Sequence, residues 1–425
     1  MEHDLVLEGK VVRPTGVEEM EVGISEGKVA ELRKQGVRGA RRIRAGRCLV
    51  FPGFIDIHVH LREPGWEHKE DFRTGTEAAI HGGVTTLVDM PNNLVPASTV
   101  PALEEKIRLA GVKALVDVKF YGGVLEDRLD DLERVSGLVV GYKIYLARST
   151  GDVPFPENEL GEAFRRIEKL SLPVSLHCED RSVIERKARE LAGVNRQDIY
   201  CDIRPPEAEV QSVRKVVAAL EGAKGLRANV CHASTRGTLK AVAEAKREGL
   251  SIDCEAALHH LYFNRRAMLQ DRRLRMNPPL RSEEDREALV LGLNRGTVSF
   301  LVTDHAPHTR EEKSSEDLSG VPGLDDFAHI VSWLIRKQGV DPVVIGRVAS
   351  SNPAEYAALQ DRGEVSIGKV ADFAILDLSS AETVKSDSVR SKCGWSPYEG
   401  REFPGRTRWT VKGGETLLDD FEPVT

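Results

Sequence analysis

The sequence predicts an α/β protein: a (β/α)8 TIM-like barrel over residues 51–362, with a small β-sandwich domain formed from both chain ends, residues 1–50 and 363–425. Three observations predict it. Eight short apolar runs alternate with amphipathic stretches through the middle of the chain. The two ends instead carry short alternating segments broken by glycine. The length, 425 residues, suits a barrel of about 250 residues with a smaller companion.

The first segment reads as small β structure. Leu5-Val6-Leu7, Val11-Val12, Val22-Gly23-Ile24 and Val29-Ala30 are separated by Gly9, Gly16 and Gly27, as short strands and turns require. The apolar runs that follow are Phe54–His58, Thr85–Met90, Val116–Tyr121, Val139–Tyr145, Pro173–Cys178, Ala228–His232, Ser251–Glu255 and Val298–Thr303. Between them lie helical stretches such as Pro205–Leu220, where Val210, Val213, Val217 and Leu220 share one face. Repeated strand–helix units predict a parallel barrel; the alternative is a doubly wound open sheet. No G-x-G-x-x-G follows the first run, which weakens the dinucleotide-binding version of that alternative. The last segment returns to strand-like patterns at Ala371–Leu376 and Trp409–Val411, so the two ends are expected to pair.

Composition narrows the function. Sixty Lys and Arg against 67 Asp and Glu give a net charge of −7 without a long basic run, which argues against nucleic-acid binding. The six cysteines form no C-x-x-C pair, so reduced thiols are expected rather than a disulfide scaffold or a zinc finger. No signal peptide and no apolar run of about 18 residues is evident, so no membrane association and a cytoplasmic location are expected.

The chemistry lies where the runs end. In a parallel barrel the C-terminal strand ends converge on one face. Here they would bring His58, His60, Lys143, His177, His232 and Asp304 together. His58 and His60 have strand spacing, so both imidazoles point to one side and can chelate one metal. Cys178 and Cys231 adjoin the next two histidines; alternation along a strand turns them away from the pocket, as small packing residues. Asp304 can ligate a metal and still accept a proton. Lys143 fits a cationic site poorly unless its amine carries carbon dioxide as a carbamate; from the residue alone, a substrate-binding lysine is equally open.

The ordered set His58-x-His60, Lys143, His177, His232 and Asp304 resembles the ligand set of the dinuclear amidohydrolase superfamily, along nearly the whole chain. That resemblance implies two Zn2+ ions per chain, bridged by carbamylated Lys143. His58, His60 and Asp304 would hold one ion, and His177 and His232 the other. Within the superfamily, His58–Gly65, Asp89–Asn93, Asn277–Arg281 and Asp304–His308 look like the motifs of the dihydroorotase family. This implies reversible hydrolysis of the ring amide of dihydroorotate to N-carbamoyl-L-aspartate, with Asp304 moving the proton. Arg62, Asn92, Asn277 and His308 would bind the substrate, and Gly320 would border it in the loop Ser314–Gly323. A guanidinium at Arg62 suits a carboxylate, since it offers two parallel donors.

The sequence departs from the family in having Ala257-Leu258 before His259-His260 where a Thr-Pro is usual; these two histidines are read as supporting rather than ligating. Allantoinase, hydantoinase and a non-catalytic relative that binds pyrimidine-pathway enzymes are the rival readings. The filled ligand set argues against the last. The resemblance leaves room for a homodimer or for association with other enzymes of that pathway.

Overall fold

The computed structural model describes residues 2–148 and 154–424. Eight parallel strands form a nearly closed barrel: β5 (Phe54–Val59), β6 (Val84–Asp89), β7 (Asp117–Gly123), β8 (Gly141–Tyr145), β9 (Val174–His177), β10 (Ala228–Val230), β11 (Ile252–Ala257) and β12 (Phe300–Val302), paired in sequence order. Each expected run becomes one of these strands. Every residue of β5, β6, β8 and β9 is buried, as expected of parallel strands covered on one face by helices and filled on the other. The ring closes where Val59 bridges His305 and the His60 N–H donates to His305 O at 2.8 Å.

Local signals set the helix ends. Asp71 caps the helix Phe72–Gly82 by accepting from Thr74 N, and Gly83 ends it at φ 77°, a conformation that glycine adopts without strain. Asp180 and Thr235 cap the helices that follow β9 and β10.

The chain ends build a second, eight-stranded sheet. Its members are β1 (His3–Arg13), β2 (Gly16–Ser25), β3 (Lys28–Arg33) and β4 (Gly39–Pro52) from the start of the chain. From the end come β13 (Phe373–Asp377), β16 (Arg406–Lys412), β17 (Glu415–Asp419) and β18 (Glu422–Pro423). The two-residue strands β14 (Glu382–Thr383) and β15 (Glu402–Phe403) pair separately. β4 lies between β1 and β13, so the sheet cannot exist without both ends. Leu5, Leu7, Val22, Val50, Phe373 and Trp409 form its core. The stretch between β14 and β15 leaves this sheet, and its Cys393, Trp395 and Tyr398 join the barrel core. No helix of the described residues is long and apolar enough to cross a membrane.

Candidate metal and substrate site

His58 and His60 leave the end of β5 on one side and aim their Nε2 atoms at a single oxygen, Asp304 Oδ1, at 3.4 and 3.3 Å. Their other nitrogens are engaged. His58 Nδ1 meets Glu255 Oε2 at 2.7 Å, and His60 Nδ1 donates to Asn92 Oδ1 at 2.6 Å. A metal would take the Nε2 lone pairs with Nδ1 protonated in each ring, which is how second partners prepare histidine for a metal. These two histidines and Asp304 place three ligand atoms within 4.8 Å of one another, all buried. Burial alone would raise the Asp304 carboxyl; the facing histidines overrule it and hold it well below the usual range.

His177 ends β9, and His232 lies two residues past β10 at φ 34°. His177 Nδ1 and His232 Nε2 face each other at 3.0 Å, while His177 Nε2 meets Glu179 Oε2 at 2.9 Å. Burial lowers the pKa of both rings, against the Glu179 contact at His177, and so favours their neutral forms. His232 Nδ1 is buried without a hydrogen-bond partner among the described residues. A neutral His232 has one proton for two nitrogens. If Nε2 carries it, Nδ1 is left as an orphan acceptor. If Nδ1 carries it, two lone pairs converge 3.0 Å apart. The second arrangement fits a cation between the rings, and the residues present therefore suit a metal.

Lys143 sits on β8 with no exposed surface. Its Nζ is 2.8 Å from Cys231 Sγ and 4.9 Å from the Tyr145 ring centre; no carboxylate of the described residues lies within ion-pair distance. A buried ammonium without a counter-charge is costly, and an acidic group on that nitrogen between the two histidine pairs would reverse the sign of the problem. The thiol of Cys231 is thus inside the barrel, not turned away as alternation suggested. The reason is local: β10 ends at Val230, and the left-handed turn at His232 lets Cys231 and His232 both reach inward. Cys178 does face out, into the barrel–helix core.

One cavity gathers nine of the eleven residues singled out from sequence: His58, His60, Arg62, Asn92, His177, His232, Asn277, Asp304 and Gly320 all line it. Arg62 is 2% exposed and donates through Nε to Pro307 O at 3.1 Å, so it is part of the interior wall. Gly320 has φ 130°, and a Cβ there would lie 2.5 Å from Ala306 O, so the wall closes only around glycine. Its N–H is given to Arg275 O at 3.0 Å. Lys143 lies outside the lining, against Tyr145, which is part of it. His308 is not brought to the wall. Lys69 Nζ donates to its Nδ1 and its Nε2 donates to Ser319 O, each at 3.1 Å, so the ring supports the loop that carries Ser319 and Gly320.

Sequence reasoning missed Glu255, Glu179, Tyr145, Ser319 and Tyr200. Glu255 carried a readable signal, since it too closes an apolar run. Glu179 follows His177 by two and is held by Arg204, whose Nε lies 3.0 Å from Glu179 Oε1. His259 and His260 are buried supports, His260 meeting Pro278 O at 3.0 Å. His3, His68 and His329 lie outside the site and pair with Glu31, Glu312, and Asp326 and Glu382.

A family model described as the amidohydrolase family matches residues 49–417. A dihydroorotase of Methanothermobacter thermautotrophicus is 32% identical, covering 94% of this chain and 91% of its own. An allantoinase of Bacillus licheniformis is 30% identical, covering 99% and 97%. Among solved structures, an L-hydantoinase (dihydropyrimidinase) from Arthrobacter aurescens superposes with a TM-score of 0.96 at 25% identity, over 100% of this chain and 98% of its own.

Proposed function

Because the chain belongs to the amidohydrolase family, we propose that the cavity is an active site for opening and closing a cyclic amide, and that the protein is a dihydroorotase. The reaction is the reversible hydrolysis of dihydroorotate to N-carbamoyl-L-aspartate, a step of pyrimidine formation. The observation that carries the substrate is Arg62, a buried guanidinium on the same wall as the histidine cluster. Dihydroorotate is a ring amide with a carboxylate, and a guanidinium in a nearly dry wall is the group that selects such an anion.

His58, His60 and Asp304 would hold one Zn2+, His177 and His232 the other, with carbamylated Lys143 between them. Two divalent ions at such a site polarise a carbonyl and lower the pKa of water. The protein supplies the rest. Asp304 takes the proton of the attacking water at its carboxylate and returns it to the ring nitrogen as that nitrogen leaves. Arg62, Asn92 and Asn277 hold the substrate's oxygens and orient the amide toward Asp304. His308 acts through the loop of Ser319 and Gly320. The six cysteines are unpaired thiols, as the reducing cytoplasm in which we place the enzyme would keep them.

The close superposition on an L-hydantoinase and the allantoinase relative favour a second reading, a ring amide without the carboxylate. A substrate panel separates them: L-dihydroorotate, allantoin and hydantoin, each with and without a chelator, on zinc-loaded protein. Chelator-sensitive turnover of dihydroorotate alone is expected. Turnover of hydantoin or allantoin in its place would keep the metal centre and discard the substrate. Arg62→Met should lower kcat/KM for dihydroorotate about 100-fold, the size of a lost charge-assisted contact, with metal content unchanged.

A further inference from the structure

Two cavities meet at one side chain. The histidine-lined cavity measures about 20 Å³. A second one of about 450 Å³ lies beside the short helix Ile199–Ile203, lined by Tyr200, Arg275 and Asp317 among others. Tyr200 stands in the wall between them. Its hydroxyl donates to Asn277 Oδ1 and lies 3.0 Å from Ser319 Oγ. Asn277 and Ser319 both line the inner cavity. The ring is held in place by guanidinium groups, with Arg275 at 3.8 Å and Arg204 at 5.8 Å from its centre.

A primary amide has an accepting oxygen and a donating nitrogen, and a hydroxyl has one proton to give. Tyr200 spends that proton on the Asn277 oxygen, so Ser319 must donate its own to the Tyr200 oxygen. The Asn277 oxygen is then committed to the wall, and its NH2 is the end that serves the cavity. We propose that Tyr200 is a positioning residue that fixes Asn277 as a hydrogen-bond donor, so that this side of the site accepts only an acceptor oxygen of the substrate, a carboxylate or ring carbonyl. This rests on the reading of the cavity as a cyclic-amide site. Without the Tyr200 hydroxyl the amide turns over freely and presents either end, and the site discriminates less between dihydroorotate and rings that lack its carboxylate.

The test uses the full-length, zinc-loaded enzyme and compares wild type, Tyr200→Phe, Asn277→Ala and the double variant on L-dihydroorotate and on dihydrouracil, which lacks the carboxylate. For Tyr200→Phe a roughly 5- to 10-fold rise in KM for dihydroorotate is expected, the effect of one neutral hydrogen bond, with kcat within about 2-fold, metal content unchanged and preference over dihydrouracil reduced by the same factor. The double variant should be no worse than Asn277→Ala, because both act through one contact. Unchanged KM and preference in Tyr200→Phe, or losses that add in the double variant, would overturn the proposal. If Tyr200→Phe does not fold, Asn277→Asp reads the same orientation: a carboxylate cannot donate, so dihydroorotate binding should be lost, and retained binding sinks the idea. If the wild type instead hydrolyses another ring amide, the functional reading fails while the same comparison, run on that ring, still decides the role of Tyr200.

Discussion

His58 reaches Asp304 with one ring nitrogen and Glu255 with the other, and Glu255 also accepts from Asn229 Nδ2 at 2.5 Å and from the His232 backbone at 3.1 Å. One carboxylate therefore braces a histidine of each candidate metal pair. Glu255→Gln replaces an accepting oxygen by an NH2 that must face another donor. It should weaken zinc binding about 10- to 100-fold, measured by chelator competition; unchanged affinity would remove Glu255 from the centre's support. Lys143→Ala should bind fewer than two zinc ions per chain, with partial rescue by short carboxylic acids; normal metal content and rate would end the carbamate reading. At this scale the sequence was readable wherever residues sat at a strand end with the right spacing. His58, His60, His177, His232 and Asp304 are of that kind. It was unreadable for partners far apart in the chain, such as Glu255 to His58, and wrong at Cys231, where a left-handed residue broke the alternation on which the inference stood.

The helix Phe327–Gln338 is tied to β14 through one histidine. His329 Nδ1 meets Asp326 at 3.1 Å and Nε2 meets Glu382 at 3.0 Å. Burial would lower its pKa, but the two carboxylates prevail and raise it to about 9. The charged ring therefore stabilises the fold fully below its unfolded value of about 6.5, and that contribution is lost as pH rises through about 9. His329→Gln should cost up to roughly 3 kcal/mol near pH 6 and nearly nothing by about pH 10. Thermal melts across that range check it, and a pH-independent difference would refute it. Elements themselves were legible: all eight barrel runs and the helix Pro206–Leu220 follow from apolar period and length. The ladder of ion pairs that fastens helices to their neighbours was not, because charged surface positions carry no periodic signal.

The whole molecule depends on both chain ends. β4 pairs with β1 on one side and with β13 on the other, and Cys393, Trp395 and Tyr398 from the last segment fill the barrel core. A chain ended at residue 362 would bare Leu49, Val50 and Phe51 along β4 and leave that core short of three aromatic side chains, Trp395, Tyr398 and Phe403. It should aggregate rather than yield a free barrel, and a monomeric, zinc-binding truncation in gel filtration would contradict this. The barrel with its sheet from both ends was legible at this scale because apolar runs, glycine-rich ends and length agree. The exchange of the segment between β14 and β15 back to the barrel was not, since Trp395 and Tyr398 stand in a stretch without periodicity. The β4–β13 ladder, Leu49 to Leu376 through Pro52 to Phe373, also sets an order of events in synthesis. Pro52 is followed two residues later by β5, the strand that bears His58. The candidate ligands made first therefore follow a strand whose ladder is completed only after residue 376 has left the ribosome, and a nascent chain stalled before that point should carry these histidines without capturing zinc.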